Sequence, residues 1–271
     1  MTTTTTTPPT PAASNPLARL LDSTSAGTPA RPITMRTRLY LELRKALNTR
    51  SGLILTLAAL AWAPLVLIAW LVAVGTSGHD AETILGIGAT GVAVLLPIVT
   101  LLHVTGEWGQ RSILTTFSLD PARGKILVAK VLAGQVLALA VIASALAFSL
   151  ITALLMGVDL GGTEDLGRVL LGLAAGGTLY ALMGSALGAM TLSTPLGLGV
   201  LLVAPQLVLN LGPLAGERWA EVGPWVEISM RLGELTGGTV AHWGHLAAAC
   251  VLWIALPLFV GFWRVRRADV A

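Results

Sequence analysis

The sequence predicts an all-α polytopic membrane protein: six transmembrane helices preceded by an amphipathic helix lying in the membrane interface. Three observations predict it. The 271 residues are 54% hydrophobic and only 11% charged, with a mean hydropathy of +0.79, more apolar than a water-soluble domain of this length sustains. Six apolar runs approach the roughly 20 residues that a helix needs to cross a hydrocarbon core of about 30 Å. Fourteen of the 17 Lys and Arg residues fall on one side of the resulting map, the bias that marks cytoplasmic flanks.

Residues 1–33, rich in Thr, Pro, Ala and Ser, bury too little apolar surface to offset the entropy of ordering, and are expected to form a disordered cytoplasmic tail. They lack the basic start followed at once by an apolar core that a signal peptide needs, so the amino terminus is expected to be retained. Residues 34–52 form the interfacial helix: Met35, Leu39, Leu43, Ala46 and Leu47 share one face, and Arg36, Arg38, Arg44, Lys45 and Arg50 surround the rest. Such a helix lies with its basic side toward anionic lipid; a basic flank obeying the topology rule is the plainer reading of the same residues.

Residues 53–263 hold the six spans, Leu53–Val74, Ile84–Gly106, Val131–Met156, Val169–Leu192, Leu196–Leu214 and Leu246–Trp263, and residues 264–271 form a second cytoplasmic tail. The fifth run is interrupted by Pro205, Asn210 and Pro213, so a short, kinked or partly re-entrant element is expected there. With both termini cytoplasmic, only Arg168, Arg218 and Arg231 lie outside, against nine carboxylates. Most tryptophans fall at span ends or in outer loops, where amphipathic rings anchor at the headgroups. The fourth span carries Gly172, Gly176, Gly184 and Gly188, two small-xxx-small spacings that let backbones approach closely. Spacing alone leaves open whether the partner is another span or a second subunit.

Several chemistries are disfavoured. None of the six apolar cores contains Asp, Glu, Lys or Arg, which argues against an ion-coupled carrier, since such carriers keep titratable groups near the midplane. His103, one turn before Glu107, reads as an interfacial polar group. Ser185 has no histidine in a matching span to activate it as a nucleophile. His79, His242 and His245 lack a carboxylate or cysteine partner at metal-ligand spacing, so no metal is expected. The lone cysteine, Cys250, sits in an apolar run and reads as a small buried hydrophobe. A pI of about 9.5 comes with a net charge of only +3, sorted by membrane side rather than gathered in a groove, so nucleic acid is not expected as a partner. No phosphate-cradling G-x-x-x-x-G-K-[ST] loop occurs; if ATP is used, another chain binds it.

The segment 107–130, EWGQRSILTTFSLDPARGKILVAK, is the long connection on the basic side. Glu107 and Arg111 are spaced for a helical ion pair, and Ile113, Leu114 and Phe117 make a small apolar face. Asp120 is placed to cap the third helix with Pro121 in its first turn, and Arg123 and Lys130, seven apart, share a face that meets headgroups or a partner. By spacing alone this is either an ordinary amphipathic loop or a surface that a soluble partner pushes against.

The run Glu107, Trp108, Ser112, Pro121, Arg123, Ala129, Lys130 resembles the second-to-third-span region of type-2 ATP-binding-cassette (ABC) exporter permeases. It departs from that pattern at Arg111-Ser112, where the family often has Gly-Thr. The resemblance extends to the layout from Met35 to Arg267. It implies a plasma-membrane permease subunit that pairs with a second permease subunit, identical or related, and with separate ATPase subunits that bind ATP and Mg. The chain itself is then neither an enzyme nor a cofactor binder. The resemblance further implies that 107–130 acts as the coupling helix, with Glu107, Arg111, Pro121, Arg123, Lys125 and Lys130 at the contact, and that residues 213–240 fold back as short extracellular helices capping the exit. A charge-free interior favours an amphipathic or apolar cargo such as a drug, lipid or peptide. The competing class is a non-transporting anchor or assembly factor whose loop docks a cytoplasmic protein.

Overall fold

The computed structural model describes residues 33–75, 77–110, 112–120, 122–159 and 163–267. The tail expected over 1–33 lies, but for its last residue, outside the described residues, as do Arg111, Pro121 and the end of the second tail from residue 268. Among the described residues the fold is all helix: α1 (Met35–Asn48), α2 (Arg50–Val74), α3 (Ala81–Gly109), α4 (Ile113–Leu119), α5 (Arg123–Leu155), α6 (Thr163–Thr191), α7 (Thr194–Leu211), α8 (Glu217–Val226), α9 (Ile228–Thr236) and α10 (Trp243–Arg267). Six of these, α2, α3, α5, α6, α7 and α10, are long and apolar enough to cross a membrane.

Local chemistry sets the helix starts. The Thr49 hydroxyl accepts from Gly52 N at 3.2 Å to open α2, and the Asp80 carboxylate accepts from Thr83 N at 2.9 Å to open α3, each satisfying an orphan amide of the first turn. The spans do not share the interior equally. The apolar windows of α3 and α6 are 56% buried and those of α2 and α7 only 17%, so α3 and α6 form the central pair around which the others are arranged.

The glycines explain that pairing. A Cβ at Gly184 would overlap the backbone of Pro97 on α3, and one at Gly188 would lie 3.2 Å from the Leu101 carbonyl oxygen. On the same helix, a Cβ at Gly172 would overlap the Leu235 carbonyl oxygen of α9 and one at Gly176 the Thr236 side chain. Both small-residue spacings are therefore used within the chain, one seating α6 on α3 and the other seating α9 on α6.

The fifth apolar run meets part of its expectation. It is short, at 18 residues, but α7 runs through Pro205 as one helix and only its end tightens into a 3-10 turn, Gly212–Ala215. A proline removes one backbone hydrogen bond without forbidding helix on either side when packing holds the rest. Beyond it, Trp219 is clasped between Gly212 and Gly223, at neither of which a Cβ would fit, and α8 and α9 turn back onto the bundle. Ile228, Leu232 and Leu235 of α9 are buried with Leu187 and Met183 of α6, and the Trp253 indole of α10 donates to Val226 O at 2.8 Å. Helix α10 is two α-helical stretches, Trp243–Cys250 and Leu256–Arg267, joined by a π-helical turn at Val251–Ala255.

Candidate functional site

A network of buried charge lies where α1, the end of α3, α4 and the start of α5 meet; on α9, Arg231 is buried as well and pairs with Glu234 at 2.6 Å. Helix α5 begins at Arg123, a full two turns before its apolar run, so Lys130 belongs to the packed part of the helix. Its side chain is 1% exposed. The ammonium reaches Glu42 of α1 at 2.8 Å and Glu107 of α3 at 2.9 Å. Lys45, one turn beyond Glu42, closes the figure, bonding Glu42 at 2.8 Å and Glu107 at 2.9 Å. The four side chains alternate in sign around a ring with no net charge. Thr116 of α4 donates to the second Glu107 oxygen at 3.2 Å, and Phe117 of α4 stands edge-on to Trp108 of α3, so the short helix is fastened to the same carboxylate and to the residue beside it.

A second ion pair lies alongside. Arg38 of α1 grips Asp120 with two parallel hydrogen bonds, Nε to Oδ2 at 2.6 Å and Nη2 to Oδ1 at 3.1 Å, the bidentate geometry that a planar guanidinium favours. Asp120 Oδ1 also accepts from Ala122 N at 3.0 Å, shaping the turn into α5. The Arg38 hydrogen bond holds the Asp120 carboxyl below the usual carboxylate range, and the same bond raises the guanidinium of Arg38. For Lys45, burial opposes the charge, but its hydrogen bonds to Glu107 and Glu42 together hold the ammonium above its ordinary value.

This arrangement adds a charged stripe beside the expected apolar face of α1. Its buried stripe is Arg38, Glu42 and Ala46, spaced four apart; of the expected apolar face Ala46 is buried, Met35, Leu39 and Leu43 are half-buried and Leu47 is exposed. The carboxylate and guanidinium turn inward because their partners wait there, and Ala46 is small enough to let the helix approach α5 and α2.

Asp120 is not the helix cap it was expected to be. It closes α4 with an extended backbone, and Ala122 occupies the cap position of α5 without a side-chain bond. Arg123 and Lys130 do not act outward as a pair: Lys130 is internal, while the Arg123 guanidinium stacks over the Phe117 ring at 5.2 Å. Lys125 is exposed. The ion-pair partner expected for Glu107, Arg111, lies outside the described residues, and Glu107 is occupied by Lys130, Lys45 and Thr116. Sequence reasoning missed Glu42, the one carboxylate in the basic stretch from Met35 to Gly52, whose isolation among cations was the available signal.

His103 lies one turn above Glu107 on α3. Its Nε2 is buried without a hydrogen-bond partner among the described residues, as is the Ser185 hydroxyl, and both border the notch left by Gly134. His242 stacks on His245 at 5.0 Å and His245 stands edge-on to Trp225, while His79 packs on Trp70. No group of three or more His, Cys, Asp or Glu forms a metal-binding cluster among the described residues. Toward the opposite end, a groove of about 790 Å³ runs between α3, α6, α7 and α9, lined by apolar side chains with Thr90, Tyr180, Gln206 and, at its rim, Asp80. That volume is of the size that holds a drug-like molecule.

No protein-family model matches the chain, and neither does any curated protein.

Proposed function

We propose that the chain is the membrane-spanning permease subunit of an ABC exporter, moving an amphipathic or apolar cargo with energy from ATP hydrolysed by a separate subunit. The observation that carries this reading is the buried ring Glu42–Lys130–Glu107–Lys45. Ionisable groups inside a membrane bundle are costly and mark function by default, and a buried ion network is poor value as a stabiliser compared with apolar packing. This one joins the interfacial helix, the short helix α4 and two spans in a single alternating network.

In this reading the basic end faces the cytosol of the cell, following the positive-inside bias. An ATPase dimer closing against α4 displaces it. Because Thr116 and Glu107 bind α4 to the ends of α3 and α5, the displacement reaches the spans as a rigid tilt and biases the bundle between two packings. The groove between α3, α6, α7 and α9 offers the cargo an apolar wall with a few polar contacts. The family resemblance of residues 107–130 supports the same assignment, and with it a second permease subunit, identical or related.

The test is isolation of the tagged full-length chain in lipid nanodiscs, with mass spectrometry of what accompanies it. Recovery of a soluble nucleotide-binding subunit, lost on charge reversal at Glu107 and Arg123 while insertion persists, is the expected result. Recovery of the chain alone, or with partners that bind no nucleotide, replaces the exporter with a membrane anchor.

A further inference from the structure

The outward face of α10 combines two features that nothing in the transport reading uses. Leu252, Leu256, Phe259 and Trp263 are all exposed, Phe259 at 71%, and their spacing of four, three and four residues places them in one stripe along the helix. The opposite face, Trp253, Pro257, Gly261 and Val265, is buried, with Gly261 so close to the Ala189 backbone that no Cβ would fit. The stripe is therefore held rigidly outward, and it starts in the π-helical turn, a feature that often accompanies functional sites.

At its end the stripe runs into cations. The Arg267 guanidinium lies 4.5 Å from the Trp263 ring centroid and that of Arg266 lies 5.1 Å from Phe262. Stacking fixes each plane while leaving its N–H edges free, and neither has a carboxylate partner among the described residues. Arg264, beside them, is anchored instead to the Met190 carbonyl. From Leu252 to Trp263 the helix rises about 16 Å, close to half of a hydrocarbon core of about 30 Å.

We propose that this face is a binding site for an anionic phospholipid, its phosphate held in the fork of Arg266 and Arg267 and one acyl chain lying along Trp263, Phe259, Leu256 and Leu252. An apolar track one leaflet deep, ending in two oriented guanidiniums, matches an amphiphile with a negative head. A soluble acidic protein has no use for the track. The inference does not depend on the exporter reading.

The test uses the full chain in a non-ionic detergent, titrated with dioleoyl phosphatidylglycerol or dioleoyl phosphatidylcholine, with retained lipid counted by native mass spectrometry. Wild type is expected to retain phosphatidylglycerol in preference, and Arg266→Gln/Arg267→Gln to lower that preference by roughly tenfold or more, from the loss of two basic contacts at the membrane surface. Arg218→Gln, which removes an exposed cation from α8, is expected to keep it. Phe259→Ser tests the track without touching the cations and is expected to weaken retention of both lipids. Should the double Arg266/Arg267 variant fail to insert, Arg267→Gln alone is read in the same assay.

Equal retention of the two lipids by wild type, or equal loss in the Arg218→Gln variant, overturns the site. Displacement of phosphatidylglycerol by glycerol phosphate shows that the headgroup alone binds and overturns the acyl track. Unchanged lipid retention with loss of a co-isolated protein in the Arg266/Arg267 variant assigns the face to a protein partner and likewise overturns the proposal.

Discussion

Replacing Lys130 with Met tests the ring most sharply, because the side chain is 1% exposed and bonds two carboxylates. Met keeps the unbranched apolar stem and removes only the charge. Glu42 and Glu107, 6% and 18% exposed, are left facing each other with Lys45 as their remaining cation. Removing one partner of a buried pair costs about 3–5 kcal/mol, most of it the unpaired charge left behind. Lys45 still reaches both carboxylates but is 43% exposed and screened by solvent, so the lower end, about 3 kcal/mol, is expected. For a chain of this size that corresponds to a fall in Tm of roughly 6–12 °C. Adding Glu42→Gln restores neutrality to the ring, leaving the Lys45–Glu107 pair, and the double variant is expected to recover at least half of the loss. The assay is thermal unfolding in nanodiscs, followed by tryptophan fluorescence, for wild type, both single variants and the double. A Lys130→Met variant that melts with wild type, or a double variant no better than the sum of its singles, would refute the coupling of these charges.

Two further substitutions and a pH series follow from the packing and the second ion pair. Gly184→Ala is expected to lower stability by about 1–3 kcal/mol, because its Cβ meets the Pro97 backbone and rigid cores resist overpacking. Gly199→Ala on α7, where a Cβ meets nothing within 4 Å, is expected to be neutral or slightly stabilising through helix propensity; the same melting assay compares them. The Asp120 carboxyl is depressed by Arg38, so its contribution is fully present above the unfolded carboxylate value of about 3.9 and is lost as pH falls through the folded one. The raised Arg38 value works in the other direction, its contribution lost only at alkaline pH beyond the working range. Wild type and Asp120→Asn are therefore expected to differ by a constant Tm gap at neutral pH that narrows below about pH 4; a gap that stays level into acid contradicts the pairing.

The six spans and the close-approach glycines of α6 were legible in the sequence because each rests on a local pattern, an apolar run of bilayer length or glycines four apart; that the glycines meet α3 and α9 of the same chain was not. Nor was the inner charge lattice. Lys130 meets Glu42 across 88 positions and Arg38 meets Asp120 across 82, and periodicity says nothing about such pairings. Amphipathicity picked out the apolar face of α1 but not the stripe beside it, where Arg38 and Glu42 turn in because the facing helices carry complementary charge. Asp120 misled for a related reason: an Asp before Pro suits a helix cap, but its carboxylate was claimed by the Arg38 guanidinium and by the turn at Ala122. The continuity of α7 through Pro205 was hidden because composition shows the lost hydrogen bond and not whether the helix resumes on either side of it.

The central claim is that force applied at α4 passes through the Glu107–Lys130 pair into the spans. It is tested most directly by ATP turnover of the complex isolated with the tagged chain, comparing wild type with the charge-neutral pair Glu107→Gln/Lys130→Met, in which Lys45 keeps Glu42 as its partner. The account predicts that the variant subunit still inserts and still brings down its ATPase, while hydrolysis falls toward the rate of the ATPase alone. Undiminished hydrolysis in the variant complex, or the absence of any co-isolated ATPase from wild type, would contradict it.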